Sequence, residues 1–315
     1  MPLSPPTAYD QFHLPTGDGH ALYVAQYGQA DAPATVVLHG GPGSGTQPSV
    51  LEWFDLARQR VVLFDQRGAG RSTPLGEIAH NDSQALVADI EQLRKHLNIA
   101  RWMVVGGSWG ATLALMYAGA HRERLSTLVL RGSFLASERE MQWFFQSLKA
   151  MVPQGWAALV KDWSETQQHQ VLATLTQQLL HGTDREQHDA AMRWAAYENS
   201  VMQAMNGKLI EATTGSAQQT SDRVLAKYRL QAHYLSQGCF TSERTLLDIA
   251  SGLRDLPVAL IHGTHDLVCP PENAVKLAAA MPHATMRWVA QGGHTPADAG
   301  IAAALRSSIQ ALSSH

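Results

Sequence analysis

Apolar residues along the chain fall into short runs separated by longer stretches where they recur at helical spacing. The short runs are rich in β-branched residues and read as strands: Ala21–Tyr27, Thr35–Leu38, Arg60–Phe64, Trp102–Gly106, Thr127–Arg131, Val258–Ile261 and Met286–Val289. Helical spacing predicts helices over Gln84–Leu97, from Trp109 onward, over Pro271–Met281 and over Ile301–Leu312. Near-continuously apolar strands alternating with helices predict an α/β fold with a mostly parallel sheet covered on both faces. Gly17-Asp18-Gly19, between two extended segments, predicts an early hairpin.

Between about Ser133 and Ser251 the pattern changes. The chain there is helical, rich in Gln, Ala, Trp and Met, and offers no convincing strand. A helical insertion between two strands predicts a lid over the C-terminal edge of the sheet, where such folds keep their sites. The expected division is a core of residues 1–134 and 251–315 with a cap of residues 135–250. Of the aromatics Phe134, Trp143, Phe145, Trp156, Trp163 and Trp194, most are expected in the core and a minority along a pocket.

Composition narrows the class without deciding it. With 315 residues, 45% of them hydrophobic and 16% charged, the chain can bury a large core. A formal net charge of −3 gives no basic surface for nucleic acid. Two cysteines, Cys239 and Cys269, stand far apart and form no disulfide framework, so a reducing compartment is the default. The N-terminus lacks a basic region followed by an apolar stretch, and no apolar run approaches the ~20 residues that cross a bilayer. The expectation is a cytoplasmic protein with no membrane partner.

The chemistry is carried first by Gly106-Gly107-Ser108-Trp109-Gly110, between an apolar strand and a run of helix formers. Gly-x-Ser-x-Gly there reads as a nucleophile elbow, which lifts a serine hydroxyl above the sheet. A side chain at either outer glycine would strike the neighbouring strand or helix. Ser108 then needs an acid and a histidine later in the chain, in that order. Asp266 follows the strand Val258–Ile261, and His294 lies in a glycine-containing loop after Met286–Val289. Both therefore belong to the same sheet edge as Ser108. Imidazole suits the base role, and a carboxylate fixes its tautomer. Asp255 precedes its strand, Asp298 fits a cap of the last helix better, and His262 and His265 come before the acid.

Hydrolysis of an acyl bond also needs two N–H donors aimed at the developing oxyanion. The amide of Trp109 follows the nucleophile, and His39-Gly40-Gly41-Pro42-Gly43 after Thr35–Leu38 offers a second donor, assigned to Gly41. Asp65-Gln66-Arg67-Gly68-Ala69-Gly70-Arg71-Ser72 has neither a Walker nor a dinucleotide pattern, so its charges are expected to tie loops together. His262-x-x-His265 lacks the glutamate of a zinc-peptidase motif, and no metal is expected.

Together these motifs resemble those of the proline iminopeptidases of the α/β-hydrolase fold. The resemblance rests on His39–Gly43, Asp65–Ser72, Gly106–Gly110, the Asp266-Leu-Val-Cys-Pro270 loop and Gly293-His294. It implies hydrolysis of the bond after an N-terminal residue, often proline, with no metal or organic cofactor. It also implies lid carboxylates for the substrate's ammonium group, since an unpaired cation is costly to desolvate. Glu198 matches the first of these places, whereas Gln231 stands where a second glutamate would be. Phe134 and Phe145 match the family's pocket aromatics, suited to a proline ring.

The expected activity is a serine aminopeptidase acting on small peptides through an acyl-enzyme. Gln231 motivates an alternative, an esterase or amidase taking an amino-acid ester or amide without a free amine. A binding protein on a hydrolase fold is a third reading, against which stand an intact nucleophile, acid, base and oxyanion loop.

Overall fold

The computed structural model describes residues 6–206 and 217–313. Among these residues eight strands form one sheet: β1 Asp10–Pro15, β2 Ala21–Gly28, β3 Ala34–Leu38, β4 Arg60–Phe64, β5 Trp102–Gly107, β6 Leu125–Arg131, β7 Val258–Gly263 and β8 Thr285–Val289. Their spatial order is β1-β2-β4-β3-β5-β6-β7-β8. β1 and β2 form the expected antiparallel hairpin, with Leu14 opposite Leu22, and β2 meets β4 antiparallel. The other pairs are parallel.

Among the described residues the helices are α1 Ser83–His96, α2 Trp109–Ala120, α3 Glu138–Gln142, α4 Pro153–Leu159, α5 Glu165–His169, α6 Val171–His181, α7 Asp184–Asn206, α8 Ala217–Ser236, α9 Glu243–Gly252, α10 Glu272–Ala280 and α11 Ala299–Ser313. The predicted strands and core helices agree with these bounds to within one or two residues. Between β6 and β7 the described residues hold helices and turns but no strand. None of the described helices is long and apolar enough to cross a membrane.

Strand residues alternate between faces, and both faces are apolar because both are covered. Val36, Val62, Val104, Leu128 and Leu260 pack with Leu86, Ile90 and Leu113 of α1 and α2 and Leu246 of α9. Val37, Val61, Met103, Val105, Val129 and Ile261 pack instead with Ile301, Leu305 and Ile309 of α11. The helices between β6 and β7 have their own core of Phe145, Leu148, Leu175, Trp194, Tyr197 and Tyr228. They are tied to the sheet layer by hydrogen bonds from Trp143 Nε1 to the Leu267 carbonyl and from the Tyr234 hydroxyl to Asn81 Oδ1, each 2.7 Å.

The parallel register brings loops together at one edge. Leu38 pairs with Gly106, Gly107 with Arg131, Arg131 with Ile261, and His262 with Trp288. The residues just past those strand ends are therefore neighbours in space although far apart in sequence.

Candidate active site

Ser108 sits between β5 and α2 at φ 57° and ψ −126°. That conformation is costly for a residue with a side chain, and backbone strain of this kind gathers at functional sites. Both outer glycines are obligatory. A Cβ on Gly106 would overlap the Gly110 carbonyl, and one on Gly110 would overlap the Leu38 carbonyl of β3. Gly40 passes close by: a Cβ there would lie 3.3 Å from Ser108 Cβ. Gly41 adopts φ 120°, open to glycine and strained for other residues. Trp109, as the first helical residue, has an amide with no intrahelical acceptor. Its ring is fully buried, with Nε1 donating to Gln66 Oε1 at 2.9 Å.

Asp266 and His294 meet beside this turn. His294 Nδ1 lies 2.7 Å from Asp266 Oδ2, while Asp266 Oδ1 accepts from the amides of Val268 and Cys269 at 3.0 and 2.9 Å. Burial by itself pushes Asp266 up; the His294 charge and hydrogen bond, with His262 and the Cys269 amide, outweigh it and hold the carboxyl below its ordinary value. Gly132, at φ 51°, leaves room for the pair: a Cβ there would come within 3.2 Å of Asp266 Oδ2 and of His294 Nδ1. Among the described residues, Ser108 Oγ has its one hydrogen-bonding contact with Cys269 Sγ, at 4.0 Å. Burial drives the Cys269 thiol well up, so it stays protonated.

A cavity of about 740 Å³ joins these groups to the helices above. Ser108, Gly41, His294, Phe134, Phe145, Glu198 and Gln231 all line it, so the structure gathers those sequence candidates in one place. Trp194, Glu198 and Met202 recur every four residues on one face of α7 and line it together. A π turn, Trp143–Ser147, follows α3 and presents Phe144 and Phe145 to the cavity. Phe145 packs edge-on against Trp194 at 5.4 Å.

Glu198 is not alone. Lys227 Nζ lies 2.9 and 3.1 Å from its two carboxylate oxygens, and the Tyr228 hydroxyl donates to Oε2 at 2.7 Å. Burial raises the Glu198 pKa, but the Lys227 charge and hydrogen bond and the Tyr228 bond lower it further still, leaving it below the usual value. Gln231 Nε2 donates to the Gly41 carbonyl at 3.2 Å. Neither Lys227 nor Tyr228 emerged from the sequence as a site residue, although Lys227 lies one α8 turn before Gln231. Arg131 and Gly132, at the exit of β6, carry only a faint signal in the sequence, an arginine and a glycine ending an apolar strand.

The competing residues take other roles. Asp298 Oδ1 accepts from the amides of Gly300 and Ile301, capping α11 as expected. His262 is fully buried, with Nε2 against the Cys269 carbonyl at 2.9 Å. Among the described residues no cluster of three or more His, Cys, Asp or Glu could hold a metal ion. The Asp65–Ser72 loop does hold its surroundings together. Asp65 accepts from the Thr46 and Arg71 amides, and Arg67 clamps Asp89 with Nε and Nη2 at 2.6 and 2.7 Å.

The α/β hydrolase fold family matches residues 33–298. Over 309 residues the chain is 37% identical to a proline iminopeptidase of Arabidopsis thaliana, covering 96% of this chain and 79% of that protein. Over 291 residues it is 35% identical to a proline iminopeptidase of Xylella fastidiosa, covering 92% of each. A solved structure, a proline iminopeptidase-related protein of Thermus thermophilus, shares the fold with a TM-score of 0.61 at 22% identity, over 97% of this chain and 98% of that one. Relatives this similar over most of their length, with a hydrolase-fold match from β3 to the loop before α11, make this chain a hydrolase and a member of the proline iminopeptidase family.

Proposed function

We propose that this chain releases an N-terminal residue, proline foremost, from small peptides through a serine-linked acyl-enzyme. The observation that carries the reading is the 2.7 Å Asp266–His294 contact opening into the same cavity as the strained Ser108 turn. Ser108 Oγ attacks the carbonyl carbon while His294 Nε2 takes its proton. Gly41 and Trp109 amides hold the oxyanion. His294 then returns the proton to the departing amine, and a water activated by the same imidazole frees the acyl group. Asp266 keeps the proton on Nδ1 and stabilises the imidazolium. Attack requires Ser108 Oγ to turn from Cys269 Sγ to His294 Nε2, a contact of the kind that forms as substrate binds.

Residues 135–250 act as a cap that keeps water and folded proteins out. Phe134 and Phe145 hold the ring of the N-terminal residue, and Glu198 holds its ammonium group. Two buried free cysteines are consistent with a reducing, cytoplasmic setting. A second reading, an esterase or amidase indifferent to a free amine, is favoured by the Lys227 partner of Glu198 and by neutral Gln231.

Fluorophosphonate labelling and hydrolysis of prolyl-β-naphthylamide test the mechanism and the substrate together. Wild-type enzyme is expected to label at Ser108 and to release naphthylamine, and Ser108→Ala to do neither. Labelling with intact prolyl-β-naphthylamide and Pro-Xaa dipeptides, alongside hydrolysis of simple esters, would select the second reading. Failure to label would sink both.

A further inference from the structure

Glu198 is neutralised before any substrate arrives. Lys227 Nζ reaches both of its oxygens and Tyr228 takes a third lone pair, out of roughly four that a carboxylate offers. The two charged side chains are only 24% and 25% exposed, so water screens the pair weakly. Lys227 is seated firmly: its ammonium also lies 4.7 Å from the Tyr228 ring centre, and its backbone carbonyl faces Gly43 in the His39–Gly43 loop.

One α8 turn further, Gln231 lines the cavity without a charge. Its Nε2 is spent on the Gly41 carbonyl, and its Oε1 is buried with no hydrogen-bond partner among the described residues. The cavity thus offers a carboxylate already paired with a cation, and beside it an uncharged amide in place of a second carboxylate. A second cation brought to Glu198 must displace Lys227 or share the carboxylate with it against like-charge repulsion. An uncharged N–H meets no such opposition from Lys227.

We infer that Lys227 is a built-in rival for the substrate's ammonium group at Glu198. It sets how far this enzyme distinguishes free from blocked N-termini, and so opens the site to acyl groups whose nitrogen is an uncharged amide. The inference rests on the proposed role of Glu198 in holding the amine.

The test is the ratio of kcat/KM for prolyl-β-naphthylamide to that for N-acetylprolyl-β-naphthylamide. Lys227→Met is expected to raise this ratio by about ten-fold or more, mainly through a lower KM for the free amine. Lys227→Arg keeps the cation and is expected to retain the wild-type ratio. Glu198→Gln lowers the ratio, and adding Lys227→Met to it should give no further gain, because the rivalry needs the carboxylate. Should Lys227→Met fail to fold, Lys227→Gln carries the same comparison. A ratio indifferent to both neutral substitutions, or raised equally without Glu198, overturns the inference and leaves the aminopeptidase reading standing. Absence of turnover of both substrates by wild-type enzyme overturns that reading, and the role given to Lys227 with it.

Discussion

Arg131 Nη1 donates to the backbone carbonyl of His294 at 2.6 Å, joining the end of β6 to a loop 163 residues later. The guanidinium is buried and lies where a Cβ on Gly107 would be, directly under the Ser108 turn. Burial lowers its pKa, opposed by the nearby Asp266 charge. Arg131 is thus a positioning residue for the histidine. Arg131→Leu is expected to lower kcat by about 10- to 100-fold with a much smaller change in KM, because misplaced groups lose near-attack geometry. An equal change in both constants, or a loss of Tm with kcat intact, would speak against that role.

Asp266→Asn should be more damaging. An amide cannot hold the imidazole tautomer or stabilise the imidazolium, and the expected loss in kcat is on the order of 10³- to 10⁴-fold. Cys269 and Val268 amides would still find an acceptor in the asparagine, so folding should survive. Circular dichroism alongside steady-state kinetics checks both halves of the statement.

Two glycines give a stability contrast. Gly110→Ala places a methyl against the Leu38 carbonyl, a backbone atom that cannot step aside. A loss of at least ~3 kcal/mol is expected, or failure to fold. Gly252, the last residue of α9, has nothing within 4 Å of an added Cβ. Gly252→Ala should be neutral or stabilising by up to ~1 kcal/mol. Urea denaturation of the two variants measures the difference.

Stability should fall as pH drops below about 6.5. Burial is the largest influence on both His39 and His262 and lowers each from 6.5, outweighing the nearby carboxylates. His39 Nε2 accepts from the Gln66 amide at 2.9 Å, a bond that protonation would break. The unfolded chain therefore binds protons first, and each histidine can cost up to ~1.4 kcal/mol per pH unit between 6.5 and its folded value. Asp65 and Asp266, both held below 3.8, stabilise the fold above that value, and their contribution is lost only as pH falls further. Tm measured from pH 8 to 5 should decline, and His262→Gln should flatten the decline. A Tm that rises over that range would contradict this account.

Gln231→Glu returns a second carboxylate to the cavity. It is expected to increase the preference for prolyl-β-naphthylamide over its N-acetyl form several-fold, since a charge-assisted hydrogen bond to ammonium is about twice as strong as a neutral one. Competition kinetics with both substrates in one reaction reads the change directly.

Much of this was legible along the chain because it depends on neighbours in sequence. Apolar runs such as Trp102–Val105 make strands wherever a covered sheet exists, and Gly-x-Ser-x-Gly specifies its own turn because side chains at Gly106 and Gly110 are sterically barred. Asp266 and His294 were readable for a related reason: in a parallel sheet the residues after each strand share one edge, so chain order alone puts them near Ser108. What chain order could not convey is which partners meet across that edge. Lys227 and Glu198 are 29 residues apart on two helices, and only the packing of α7 against α8 turns an ordinary lysine into the counter-ion of a pocket carboxylate. Arg131 likewise reads as the polar end of an apolar strand until the fold carries the His294 carbonyl to it. Hydrophobic periodicity acts over a few residues and selects the elements; electrostatic pairing acts through space and is settled only once those elements pack.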